Sequence, residues 1–379
     1  MAYSETEARR LVAESAKRLL NAGLVARTWG NISARIPDGQ FIITPSGMGY
    51  EHMGPEDLVK VRIEDCSWEG DRKPSSEKGI HADAYRLRPE VNFVIHTHQE
   101  AASIYGVTGR TLTGLESECL GAAVPCAEYG MPSTGKLRRA VARALEDYPD
   151  SRAVFMRFHG ALCVGEDSET AFQAARELEQ ACERQIALLS EKKDREEPEA
   201  PADYGKSLRK GNRFCILCGG EKKVYHLKRL PKTLAGAAAI HARIYQKTDA
   251  GCIIWNRQEP VREVSRTGTT IRPYLEDLIQ IAGTDIRCAD RMSPAGIVRR
   301  LKGRSAVLVK GQGAFCTGRT RDDAEAAAIL LEKGCRAALF AEHFPDCSPV
   351  GRLDGLIQRM VYVRKYARKK EEQPGCTKS

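Results

Sequence analysis

The stretch AVFMRFHGALCVGEDSETAFQAA, residues 153–175, recurs further along the chain as AVLVKGQGAFCTGRTRDDAEAAA, residues 306–328. Each copy reads as two short apolar strands around a tight turn, His159-Gly160 in the first, followed by a helix with apolar residues at helical spacing. Upstream, Ile80-His81-Ala82 and Tyr85 recur as Ile240-His241-Ala242 and Tyr245, with the interval between the two blocks seven residues shorter in the second copy. Two blocks repeated in the same order identify a tandem duplication, so the fold is that of one copy used twice.

Outward from these blocks, residues 5–22 carry apolar positions at helical spacing and stop at Gly23. TWGNISARIPDGQFIITPSGMGY reads as short strands and turns, with Asp38-Gly39 as a hairpin turn. Pro74-Ser75-Ser76 opens a helix through Tyr85, VNFVIHTH is a buried strand, EAASIYG starts a helix, and residues 137–146 and Ser168–Leu189 form two more. Strands and helices mix throughout, so the class is α/β. SEKKDREEPEAPADYGK is charged, proline-bearing and poor in bulky apolar residues, which reads as a linker. The division that follows is a first domain over 1–190, a linker over 191–205, a second domain over 206–345, and a C-terminal helix with a basic tail over 346–379.

A chain of 379 residues exceeds one ordinary core. With 42% hydrophobic and 29% charged residues it suits a globular protein without a transmembrane span. The first twelve residues lack the apolar core of a signal peptide, which makes the cytoplasm the expected location. Thirteen cysteines, an odd number, then read as free thiols. Cys215 and Cys218 form a CxxC without the second pair a zinc ribbon needs. The net charge of +9 is spread along the chain, so it marks a solvated surface rather than a nucleic-acid or membrane partner.

His96 and His98 lie two apart on a strand, so both imidazoles leave the same face and can share one ion. A His-x-His pair alone is weak; His159, beside Gly160 at a tight turn, supplies a third ligand. Three histidines with an open fourth position describe a catalytic metal site. Nitrogen ligands suit zinc, with manganese, cobalt or iron as alternatives. In the second copy the aligned positions are expected at Asn256, Gln258 and Gln312, so that all three ligands are lost as a set. Glu77, at the start of a helix, becomes Ala237 there, while Ser75 and Ser76 become Ala235 and Gly236. Ser-Ser-Glu is ordinary helix capping, and a helix N-terminus also receives phosphate; the two readings are compatible. Gly30-Asn31 and Ser46-Gly47 are further candidate phosphate loops, because small residues let backbone amides approach an anion.

These residues resemble the class II aldolase/adducin family over the first half of the chain: TWGNISAR, FIITPSGMGY, KPSSE, VIHTH, VPCAEYGMPSTG and RFHGALCVGEDSETAF follow one another in the family's order. The resemblance implies a central, mainly antiparallel sheet flanked by helices, present here in two tandem copies. It implies metal ligation by His96, His98 and His159, with Glu77 as a general acid/base that also touches the metal. It implies phosphate contacts at Gly30, Asn31, Ser46, Gly47, Ser75 and Ser76. The activity it implies is cleavage of a phosphorylated ketose or related sugar through a metal-stabilised enediolate. Decarboxylation, dehydration or epimerisation of a phosphorylated sugar acid or pentulose, or an adducin-like non-catalytic interaction role, are the alternatives within the family. A family tyrosine upstream of Pro-Cys-Ala has no equivalent here, where LTGLESECLG offers Glu116 and Glu118 instead. A second one comes from a neighbour's C-terminal segment, for which Tyr362 and Tyr366 are candidates. Family members form rings with sites between subunits. The metal-less copy is therefore expected to replace a neighbouring subunit, in a homodimer that imitates a four-subunit ring.

Overall fold

The computed structural model describes residues 2–25, 29–189 and 202–364, in two compact units, Met1–Glu191 and Lys192–Ser379. Most of the expected linker lies outside the described residues. Its last residues belong to the second unit instead, where the Asp203 carboxylate accepts from the amides of Gly205 and Gly219 at 2.8 and 3.1 Å. The basic tail beyond residue 364, Tyr366 included, is also outside them.

The first unit runs α1 (Glu5–Asn21), β1 (Gly30–Ile36), β2 (Gln40–Ile43), β3 (Val59–Arg62), α2 (Lys78–Leu87), β4 (Phe93–Thr97), α3 (Glu100–Gly106), β5 (Leu112–Thr113), β6 (Ala123–Val124), β7 (Cys126–Ala127), α4 (Gly135–Asp147), β8 (Ala153–Met156), β9 (Gly160–Gly165) and α5 (Ser168–Leu189). Seven strands form one sheet in the order β3-β2-β1-β4-β9-β8-β7, antiparallel except for β7 beside β8. Every residue of β4 and β9 is buried, as central strands covered on both faces must be. The hairpin between β1 and β2 turns at Asp38 and Gly39, both at positive φ, which suits an Asp-Gly pair. Helix α1 is capped by the Ser4 hydroxyl, which accepts from the Glu7 amide at 3.3 Å.

Among its described residues the second unit has the equivalent of β1 as its first element, with no counterpart of α1. It runs β10 (Lys206–Lys210), β11 (Arg213–Cys218), β12 (Glu221–His226), α6 (Gly236–Lys247), β13 (Cys252–Asn256), α7 (Glu259–Arg266), α8 (Glu276–Ala282), β14 (Cys288–Ala289), α9 (Pro294–Leu301), β15 (Ala306–Val309), β16 (Gly313–Gly318), α10 (Arg321–Ala341) and α11 (Arg352–Tyr362). Its sheet order, β12-β11-β10-β13-β16-β15-β14, repeats that of the first strand for strand. The long connection between β2 and β3 shrinks to Gly219-Gly220, so the second unit has no equivalent of the Ser46-Gly47 loop. Cys215 and Cys218 both lie on β11, three apart, and therefore on opposite faces of the strand. Among the described residues the cysteines are free thiols, and no helix is long and apolar enough to cross a membrane.

The repeated Ile-His-Ala motif pins a helix to a sheet in each unit. Ser33 on β1 meets His81 Nδ1 at 2.6 Å and the Tyr85 hydroxyl at 2.7 Å; Ser207 on β10 meets His241 Nδ1 and the Tyr245 hydroxyl at the same distances. Both histidines are fully buried, and burial pushes their pKa values down, to about 3 for His81 and about 4 for His241. A group depressed in the folded state is protonated first in the unfolded chain. The stability it contributes is thus complete above about pH 6.5 and is lost as pH falls toward the folded value. Each unit is expected to lose about 2 kcal/mol through its histidine between pH 7 and pH 5. Denaturant unfolding at those two pH values checks this, with His81→Phe and His241→Phe predicted to flatten the dependence.

Candidate metal centre

Three backbone features bring the histidines together. His96 is the fourth residue of the buried strand β4, opposite Leu162 of β9. His98 follows just past the strand's end, and His159 closes the β8–β9 hairpin, its amide donating to Met156 O at 2.9 Å. Two glycines permit the crowding. A Cβ on Gly160 would sit 2.1 Å from Thr97 O and 3.3 Å from His96 Cε1, and a Cβ on Gly30 would sit 2.6 Å from His96 O. The preceding residue, Phe158, is held at φ 66°, where its counterpart Gly311 has φ 68°.

The ring centroids lie 4.9 Å apart for His96 and His98, 5.0 Å for His96 and His159, and 4.6 Å for His98 and His159. One nitrogen from each lies within 4.8 Å of the other two. His96 Nδ1 stands 2.9 Å from Ala161 O; a carbonyl only accepts, so Nδ1 carries the hydrogen and Nε2 presents its lone pair to the cluster. Burial pushes the His96 pKa down to about 4, which leaves the ring neutral at pH 7. The Glu77 carboxylate lies 3.2 Å from His96 Nε2 and 3.0 Å from His159 Nε2. Burial opposes its ionisation, but His159, His96 and the Asn31 amide outweigh that and hold its pKa below the usual carboxylate range. A lone pair and a carboxylate at these distances need a positive charge between them, either a proton or a cation. Three imidazole nitrogens, with one carboxylate beside two of them, are a donor set that fits a divalent ion.

The candidate phosphate residues divide. Pro45 and Pro74 form a β-bridge, flanked by Ser46 N to Lys73 O and Ser75 N to Thr44 O, both at 3.0 Å, so the Ser46-Gly47 and Ser75-Ser76 loops lie side by side. The same bridge starts α2 at Lys78 rather than at Pro74, with Glu77 in the N-cap position. The Ser46 and Ser75 amides are spent on this pairing, and Ser75 Oγ accepts from Glu77 N at 3.2 Å. Ser46, Gly47 and Ser76 are exposed, and Ser76 Oγ accepts from Ser133 Oγ at 2.8 Å. Gly30 is half-buried where β1 meets Thr97, whereas Asn31 is buried with its side chain between Glu77 and His81. Glu116 and Glu118 are exposed on the connection between β5 and β6, and Tyr362 ends α11 of the second unit. Sequence reasoning missed the Ala161 carbonyl and the Asn31–His81 contact. The recurrence of His81 in both copies signals only its serine and tyrosine partners, because the second unit has Gly205 where the first has Asn31.

The register of the second sheet corrects the alignment of the lost ligands. Trp255, not Asn256, stands opposite Phe315, as His96 stands opposite Leu162, and Gln258 precedes α7 as Gln99 precedes α3. The counterparts of His96 and His98 are therefore Trp255 and Arg257, and Asn256 takes the place of Thr97. The connection from α6 into β13 is one residue shorter than that from α2 into β4, and a one-residue slip moves each side chain to the opposite face. Trp255 is buried against Phe315 and Tyr204, at centroid distances of 4.6 and 5.1 Å, and its Nε1 donates to Ala202 O at 3.1 Å. An aromatic cluster takes the place of the imidazoles.

A family model described as the class II aldolase and adducin N-terminal domain matches residues 10–186 and again 216–339. A 5-deoxy-D-ribulose 1-phosphate aldolase of Bacillus thuringiensis serovar kurstaki is 35% identical over 166 residues, 43% of this chain and 76% of that protein. An L-fuculose phosphate aldolase of Escherichia coli K12 is 29% identical over 184 residues, 48% of this chain and 83% of that protein. The solved structure of an L-fuculose 1-phosphate aldolase, 26% identical, aligns with a TM-score of 0.46 over 52% of this chain and 93% of its own.

Proposed function

Because the chain belongs to the class II aldolase and adducin N-terminal domain family and is an aldolase-type lyase, we propose that its first unit cleaves a phosphorylated ketose between C3 and C4. The observation that carries this reading is the convergence of His96, His98 and His159 on one another, with Glu77 against His96 and His159. In the proposed reaction the phosphate lies against the paired loops, where Ser46, Gly47 and Ser76 are exposed. Glu77, ionised at rest, takes the proton of the C4 hydroxyl as the C3–C4 bond breaks to release an aldehyde, and the electron pair of that bond passes into an enediolate. Glu77 then delivers a proton to C3, which yields dihydroxyacetone phosphate. A divalent cation held by the three histidines, zinc by preference and manganese, cobalt or iron as alternatives, would supply Lewis acidity where negative charge develops on oxygen. The low pKa of His96 keeps that ligand available at neutral pH.

Incubation with L-fuculose 1-phosphate and 5-deoxyribulose 1-phosphate, followed by NMR of the products, tests the reaction. Dihydroxyacetone phosphate and a free aldehyde are expected. Carbon dioxide, a dehydrated sugar or an epimer as the sole product would replace this reading with another chemistry of the family.

For the second unit we propose a structural role, supported by the aromatic cluster around Trp255. The chain then works as a homodimer in which four units stand for the four subunits of a family ring. Sedimentation equilibrium should give the mass of two chains, and an active monomer would contradict it.

A further inference from the structure

A single line of buried hydrogen bonds leads away from Glu77. Asn31 Nδ2 donates to Glu77 Oε2 at 3.1 Å, Asn31 Oδ1 meets His81 Nε2, His81 Nδ1 meets Ser33 Oγ at 2.6 Å, and Ser33 Oγ meets the Tyr85 hydroxyl at 2.7 Å. The chemistry of each group sets one direction for the whole line. An ionised carboxylate only accepts, so the Asn31 amide must face Glu77 and its carbonyl oxygen must face His81. His81 Nε2 must therefore carry a hydrogen. The ring is neutral, because burial depresses its pKa to about 3, so Nδ1 is an acceptor and Ser33 donates to it. Ser33 Oγ in turn accepts from Tyr85. Asn31, Ser33, His81 and Tyr85 are all buried, so no exposed member lets water compete for these bonds.

The second unit divides this line in two. Ser207, His241 and Tyr245 keep the same contacts at the same distances, so those three serve the fold wherever they occur. The strand residue facing Trp255 is Gly205, where Asn31 faces His96, and the Glu77 position is Ala237. Asn31 is thus absent from the unit that lacks Glu77 and the ligands, although the scaffold beneath it survives.

We propose that His81, acting through Asn31, is a positioning residue that aims the Glu77 carboxylate for proton transfer. Asn31 accordingly serves the chemistry step rather than phosphate binding alone. This rests on the reading of Glu77 as the proton carrier. The amide has two ends that differ only in what they donate and accept. Without the His81 N–H to hold its oxygen, it is free to turn its own oxygen toward Glu77 and repel the carboxylate.

The test is deuterium uptake into dihydroxyacetone phosphate in D2O, followed by NMR on the full-length zinc-loaded protein, with zinc titration and thermal unfolding of each variant alongside. Asn31→Leu and His81→Phe are expected to lower the maximal exchange rate about 10- to 100-fold, with KM within about threefold and one zinc still bound. His241→Phe should lower the melting temperature as much as His81→Phe does but leave exchange unchanged. His81→Gln, which retains an N–H toward Asn31, should recover most of the rate. The proposal is overturned if Asn31→Leu raises KM alone, or if His81→Phe impairs exchange no more than His241→Phe. Should His81→Phe not fold, Asn31→Leu and His81→Gln decide the matter by the same criteria. Glu77→Gln separates the two levels. If it still exchanges, or if the wild-type protein does not, the reading of Glu77 fails and the proposal with it; if Glu77→Gln is inactive while Asn31→Leu is normal, only the proposal fails.

Discussion

Replacement of His96 by alanine is expected to empty the site of its divalent ion and to reduce carbon–carbon cleavage by ~1,000-fold or more, with the fold retained. A Lewis acid is worth several kcal/mol to a developing oxyanion, and each ~1.4 kcal/mol is a factor of ten in rate. His96 supplies one of only three imidazoles in the cluster, and its Nδ1 bond to Ala161 O orients it. The cost to the fold is small by comparison, because β4 keeps its pairing with β1 and β9 on both sides. Metal content by elemental analysis, cleavage rate and far-UV circular dichroism, measured on one preparation, check the three parts together. A variant that keeps both its ion and its rate would remove the histidine cluster from the mechanism.

Glu77→Gln separates proton transfer from metal binding. Its expected effect is a ~100- to 10,000-fold fall in kcat, the usual contribution of a positioned general acid/base, with the ion still bound. Glutamine keeps the shape of the side chain and can still accept from Asn31 Nδ2, so the three histidines retain their neighbours. What it loses is the ability to carry a proton. The pair of variants is more informative than either alone: His96→Ala should lose the ion and the rate together, Glu77→Gln the rate only. A Glu77→Gln protein that retains more than a tenth of the wild-type kcat would show that another group moves the proton.

Much of this architecture was legible in the sequence because local and global signals agreed. The helix Ser168–Leu189 and the start of α3 at Glu100 match the expected bounds, since apolar spacing and the surrounding turns left little choice. The repeated blocks implied two like sheets, and the strand orders coincide. The three histidines could be singled out because a strand's two-residue period places His96 and His98 together, and a glycine after His159 permits close approach. The failures have physical causes too. The amides at Asn256 and Gln258 looked like worn-down ligands, but the shorter connection before β13 cannot be placed from sequence alone, and only the pairing of Trp255 with Phe315 fixes which residue faces the site. The phosphate reading of Asn31, beside Gly30, does not reveal the side chain's second commitment. The neighbours of Asn31 on β4 and α2 are distant in sequence, so nothing local disclosed that its side chain is committed to Glu77 and His81. The start of α2 was placed too early because the pairing of Pro74 with Pro45 depends on a loop some thirty residues upstream.

The most direct measurement is the metal stoichiometry of the full-length chain, by elemental analysis or by titration of the metal-free protein. One ion per chain is predicted, lost in His96→Ala and unaffected by Trp255→Phe or Gln312→Ala in the second unit. Two ions per chain, none, or one that persists without His96 would contradict it.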